Sequence, residues 1–156
     1  MRRFAELFAA LDRTTSTNEK VAAMGRYFST APASDAVWAV FFLTGRRLKR
    51  LLPWAAIGEW TMHVTGLEEW MLQECWSAVG DGAETATLIL DQLPTTPAAD
   101  LPLATWLERR VLTLRQMDDE TQRREVITWL TELDRDQRLV LLKILSGELR
   151  LGVSQT

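Results

Sequence analysis

The chain has 156 residues, 47% apolar and 25% charged, with a net charge of −3, a composition that fits one soluble domain. Its most apolar runs, 36–43 and 139–145, fall well short of the roughly 20 residues of a membrane span, and Glu6 and Asp12 break any secretory apolar core, so a transmembrane chain is excluded and a cytoplasmic one expected. One cysteine, Cys75, and one histidine, His63, exclude an internal disulfide and a Cys/His zinc set.

Helical spacing begins at once, with Phe4, Leu7, Phe8 and Leu11 on one face. Ser16 and Thr17 are N-cap candidates for a second helix carrying Val21, Met24, Tyr27 and Phe28. Ser34 and Asp35 are placed to cap a third, 36–43, whose nearly unbroken apolar surface predicts a position at the centre of the fold. Thr44-Gly45 ends it. Pro53 suits the first turn of a helix over 54–64, Gly66 breaks that helix, and 67–79 carries Trp70, Met71, Cys75 and Trp76. After Gly80, Asp81 and Glu84 stand in capping-box spacing before a helix over 85–93. Residues 94–102 hold three of the five prolines and read as a connector between lobe-forming segments 1–93 and 103–152 of one domain, 1–156. Helices resume over 103–117, then after the acidic Asp118-Asp119-Glu120 with Val126, Ile127, Trp129, Leu130 and Leu133, and last over 136–145. No sustained alternating β-branched run occurs, so the fold class is all-α.

The halves repeat without gaps at an offset of 102: Met24 with Val126, Tyr27 with Trp129, Phe28 with Leu130, Leu43 with Leu145, and Thr44-Gly45 with Ser146-Gly147. This predicts a pseudo-twofold pair of lobes, each ending in a hydroxyl-Gly turn. Arg46, Arg47, Lys49 and Arg50 follow the first turn and hold four of the eighteen basic residues. A glycine C-cap followed by basic side chains is suited to phosphate, because exposed main-chain N–H groups and positive charge then converge. Two such turns would grip backbone phosphates at two places on a duplex without reading base edges. The plainer alternative is that both glycines simply end helices. A helical protein–protein interaction module, with a groove for a partner helix, is the competing function.

Four segments resemble a known family: Thr14-Thr15-Ser16-Thr17-Asn18-Glu19-Lys20; Phe42-Leu43-Thr44-Gly45-Arg46; Val79-Gly80-Asp81 with Glu84-Thr85; and Leu142-Lys143-Ile144-Leu145-Ser146-Gly147-Glu148-Leu149-Arg150-Leu151-Gly152-Val153-Ser154. Together they are similar to the N-terminal DNA-binding region of ATP-dependent DNA ligases, the bacterial multidomain type most of all. The resemblance implies an all-helical, two-lobed domain lying across the minor groove of nicked double-stranded DNA, ahead of adenylation and oligonucleotide-binding domains, in replication, repair and recombination. Thr44, Gly45 and Arg46 match one DNA-contacting turn of the family, and Ser146, Gly147, Leu149, Arg150 and Gly152 the other. Charge and position add Arg47, Lys49, Arg50 and Lys143. Gly82 departs from the family, which usually has a larger apolar residue there; the smaller residue works to loosen the helix start, while Asp81 and Glu84 keep the capping geometry.

The adenylated lysine of such ligases lies in Lys-x-Asp-Gly, and none of Lys20, Lys49 or Lys143 does. The expectation is therefore a DNA-binding part without catalytic residues or a metal of its own, ATP and Mg2+ being implied for the full-length ligase. It is expected to be monomeric, cytoplasmic and associated with the bacterial nucleoid during function. His63 and Cys75 fall on apolar stretches and read as core rather than as a base and nucleophile. The tryptophans read as core too, with Trp54, beside the basic run, the one to test for base stacking. Glu68-Glu69 and Asp118-Asp119 read as helix-start charges rather than a catalytic pair.

Overall fold

The computed structural model describes residues 1–96 and 98–153, and among these every regular element is helical. Pro97 of the connector and Ser154 of the fourth segment lie outside the described residues. The helices are α1 (Arg2–Asp12), α2 (Thr17–Thr30), α3 (Ala33–Leu43), α4 (Trp54–Thr65), α5 (Glu69–Val79), α6 (Gly82–Leu90), α7 (opening at Leu103–Thr105), α8 (Asp119–Glu132) and α9 (Arg135–Ser146). None is long and apolar enough to cross a membrane.

Caps explain most of the helix starts. Ser16 accepts from the Glu19 N–H at the head of α2, Asp81 from Glu84 at α6, Asp118 from Thr121 at α8 and Asp134 from Gln137 at α9. The third helix behaves differently from expectation. Pro32 precedes its first turn and Asp35 sits inside it, where its buried carboxylate accepts from the N–H groups of Leu103 (3.2 Å) and Ala104 (3.0 Å). Asp35 thus caps α7, in the other half of the chain, rather than its own helix.

α7 also departs from a plain helix. It widens to a π-type turn over Trp106–Val111 and tightens to a 3-10 turn over Leu112–Gln116. Trp106 and Val111 are five residues apart, which an ordinary helix would set about 140° apart. The wider turn lets both reach the core together with Leu107. Arg110 then lies 4.4 Å from the centre of the Trp106 ring and pairs with Glu132 at 2.9 Å.

The centre of the molecule is α9, not α3. Val140, Leu141, Leu142, Ile144 and Leu145 are essentially inaccessible, whereas Val37 and Val40 of α3 are 69% and 48% exposed. α9 packs against α1 on one side and α6 on the other, and α3 packs against α7, so segments 1–93 and 103–152 share one apolar cluster. Arg138 of α9 is buried within it. Its guanidinium donates to the carbonyls of Leu130 (2.6 Å) and Leu90 (3.0 Å) and to the Thr95 hydroxyl (3.4 Å), closing the C-terminal ends of α8 and α6. Burial pulls its pKa down, with Asp91 and Asp134 opposing.

Candidate nucleic-acid interface

Both hydroxyl-Gly turns close their helices in the same way. After α3, Gly45 has φ 81°, its N–H donates to Phe42 O (3.0 Å), and the Arg46 N–H donates to Phe41 O (3.2 Å). After α9, Gly147 has φ 74°, its N–H donates to Ile144 O (3.1 Å), and the Glu148 N–H donates to Lys143 O (2.9 Å). These bonds repeat at the offset of 102, as do the bounds of α2 and α8 and an edge-to-face ring pair, Phe4–Tyr27 at 6.2 Å and Trp106–Trp129 at 6.0 Å. The glycine N–H groups and those directly after them are used inside the protein. Further on, the N–H groups of Arg47, Leu48, Lys49 and Arg50 and those of Leu149 and Arg150 have no main-chain partner among the described residues.

The basic run is seated on the second turn. The N–H groups of Leu51 and Leu52 donate to Leu145 O at 2.9 and 3.2 Å, at the end of α9. A Cβ on Gly147 would stand 3.1 Å from Leu48 O and 3.2 Å from the Arg50 nitrogen, so any other residue would both strain the left-handed backbone and push the two stretches of chain apart by a few tenths of an ångström. Arg46, Arg47, Lys49, Arg50 and Arg150 are all exposed, and among the described residues none is in an ion pair. Gathered cations of this kind raise a positive local potential on an acidic chain.

The remaining expected residues are less open. Thr44 is exposed, but its hydroxyl donates to Val40 O (2.9 Å) and Phe41 O (3.0 Å). Ser146 is buried with its hydroxyl on Lys143 O (3.2 Å), and Leu149 is buried, leaving its main chain as the part that can meet a ligand. Lys143 is mostly covered and pairs with Asp81 at 3.2 Å, so its charge is already compensated. Burial pushes the Asp81 carboxyl up, but its hydrogen bond from the Glu84 N–H and the Lys143 ammonium prevail and hold it below the usual carboxylate range.

Trp54 is half-buried against this assembly. Its indole N–H donates to Glu148 (3.0 Å), and its ring meets Trp76 edge-on at 5.6 Å. Gly82 explains the fit. A Cβ there would lie 2.9 Å from Trp76 and 3.1 Å from Trp54, so the two indoles fill the space that a larger residue would take. The α6 start keeps the expected cap, Asp81 accepting from the Glu84 N–H. Sequence reasoning missed this group because Trp54 and Glu148 lie far along the chain from Trp76 and Gly82.

The first and last segments also close on one another. Lys20 donates to Gly152 O, while Thr14 and Ser16 fold around Glu19 at the head of α2. Gly152, at φ 64°, is thereby held over the end of α1, beside Leu11 O. His63 and Cys75 form no comparable group. His63 is exposed on α4, against the expectation of a core residue, and no cluster of metal-ligating side chains occurs among the described residues. Trp70 is likewise 62% exposed rather than packed.

The last resembling segment is thus tied to the others at separate points: Lys143 pairs with Asp81, Gly152 is held by Lys20, and the run that follows Thr44-Gly45-Arg46 reaches Gly147 through Leu48 and Arg50. The model of the family described as DNA ligase N terminus matches residues 1–156. The chain belongs to that family. Its place is therefore as part of a DNA ligase. A comparison with curated proteins gave no match.

Proposed function

We propose that this ligase N-terminal domain binds nicked duplex DNA through backbone phosphates across the minor groove, without reading sequence. The observation that carries the reading is the group of five exposed cations, in no ion pair among the described residues, on two chain segments that meet at Gly147. Thr44, Gly45, Ser146, Gly147 and Gly152 set the main chain, Lys143 fixes the α6 start through Asp81, and Arg46, Arg47, Lys49, Arg50 and Arg150 supply charge. Phosphate contacts position a protein on a duplex without specifying bases. Adenylation and oligonucleotide-binding domains, using ATP and Mg2+, would carry the chemistry of a bacterial ATP-dependent enzyme acting in replication, repair and recombination. Holding the nick near them makes the encounter effectively intramolecular. The domain acts as a monomer at the nucleoid, in the cytoplasm.

Fluorescence anisotropy with a nicked duplex tests this. Binding on the order of 10⁻⁶–10⁻⁴ M at physiological salt is expected, weakening with a log–log slope of about −0.9 per phosphate contacted. The variant R46A/R47A/K49A/R150A should lose it. Absence of binding at low salt, or an unaffected variant, overturns the reading.

A protein-interaction module is the second reading, favoured by the exposed Trp70 and Met71 of α5. It expects no salt-dependent DNA binding.

A further inference from the structure

A second basic surface lies outside the turns. α1 and α2 run antiparallel, the Arg3 guanidinium donating to Thr30 O at 2.9 Å, and between them lies an open cleft of about 360 Å³. Leu7 and Tyr27 are part of its lining, while Arg3, Arg13, Arg26 and one acid, Glu6, stand along it. All four charged side chains are exposed, and among the described residues none is in an ion pair. Arg13 is steadied by a bond from its Nε to Ala9 O (3.2 Å).

Spacing selects the ligand. Arg3 lies in the first turn of α1 and Arg13 directly follows its last residue, ten positions on and roughly 15 Å along the axis. A lone anion cannot bridge that distance, so the cleft fits a polyanion with regularly repeated charge. Position selects among polyanions. The Arg13 end of the cleft adjoins Leu11, whose carbonyl lies 3.9 Å from where a Cβ on Gly152 would be, and Lys20 of α2 holds the Gly152 carbonyl. The cleft therefore starts where the run containing Arg150 and Gly152 passes over α1.

We propose that the α1–α2 cleft is a second phosphate-binding track, which takes the DNA backbone beyond the stretch held at the Gly147 turn and lengthens the footprint of the domain. This rests on the DNA-binding reading above. Arg3, Arg26 and Arg13 meet successive stretches of backbone, and Glu6 limits how tightly it is held.

The test compares nicked duplexes of about one helical turn and about four helical turns, using this chain and the variant R3Q/R13Q/R26Q, with circular dichroism melting to verify folding. The wild type should bind the long duplex more tightly than the short one. The variant should lose about tenfold in affinity for the long duplex, with a salt slope shallower by about 2 to 3, and keep its affinity for the short one. Unchanged long-duplex binding by a folded variant overturns the track and leaves the turn reading intact; if the glutamines do not fold, R26Q alone decides, with a smaller loss in the same direction expected. Absence of wild-type binding to either duplex overturns both. Stronger competition by poly-glutamate than by duplex of equal charge, lost in the variant, would assign the cleft to an acidic protein segment and overturn the proposal.

Discussion

Gly147 and Arg50 are in main-chain contact: a methyl group at position 147 would lie 3.2 Å from the Arg50 nitrogen and 3.4 Å from its Cα. This contact ties a helix terminus to the basic run without using a side chain from either residue. Gly147→Ala adds a steric conflict to the cost of a left-handed residue, and should destabilise the domain by about 2–4 kcal/mol. Gly66→Ala and Gly80→Ala, at φ 71° and 81° with nothing near the added carbon, should cost only about 1–2 kcal/mol. Urea denaturation of the three variants measures the difference. Only the first should also weaken DNA binding.

Gly82→Ala raises intrinsic helix propensity yet should lower stability by about 1–3 kcal/mol, since the added carbon meets the Trp54 and Trp76 rings. A shift in tryptophan fluorescence should accompany the lower Tm. A stabilised variant would mean the indoles move aside freely.

Arg138→Met keeps the stem of the side chain and removes its donors. The buried Leu130 carbonyl then loses its partner and the Leu90 carbonyl keeps only the Leu93 N–H, and a loss of about 1–3 kcal/mol is expected in thermal or denaturant unfolding. Arg135→Met, one turn earlier and exposed, serves as the comparison and should change stability little.

Acid sensitivity should follow Asp81. Its carboxyl titrates lower in the folded protein than in the unfolded chain, so its contribution is present above the unfolded pKa of about 4 and is lost as pH falls through the lower folded value. Asp81→Asn should flatten the stability profile on the acid side and remove the ion pair with Lys143. An identical acid limb in both proteins would remove Asp81 from the explanation.

The helices and most of their caps were legible in the sequence because they depend on neighbours three or four residues away. Ser16 and Asp81 show this directly, while Asp118 was legible as a helix-start charge and proves to be the cap itself. Asp35 did not, because its acceptor role is played toward a helix nearly seventy residues further on. The apolarity of α3 was equally misleading, since Val37 and Val40 satisfy the pattern of a buried helix while facing outward. At the interface, the glycines and cations were visible as residue types, but their sharing of one site was not. That depends on the approach of Leu48–Arg50 to Gly147 and on the Trp54–Glu148 bond, both long-range.

The central place of α9 has a consequence for the order of folding. Its docking joins residues 135–146 to α1, at the opposite end of the chain, so the core closes through one of the longest loops the sequence allows. Contacts of such high sequence separation carry a large loop-closure cost, and chains rich in them fold slowly. The basic run, anchored to Leu145 O and Gly147, therefore takes up its final course only when the last helix arrives. A chain halted before residue 135 would carry the same cations at 46–50 and have nothing to hold them in place.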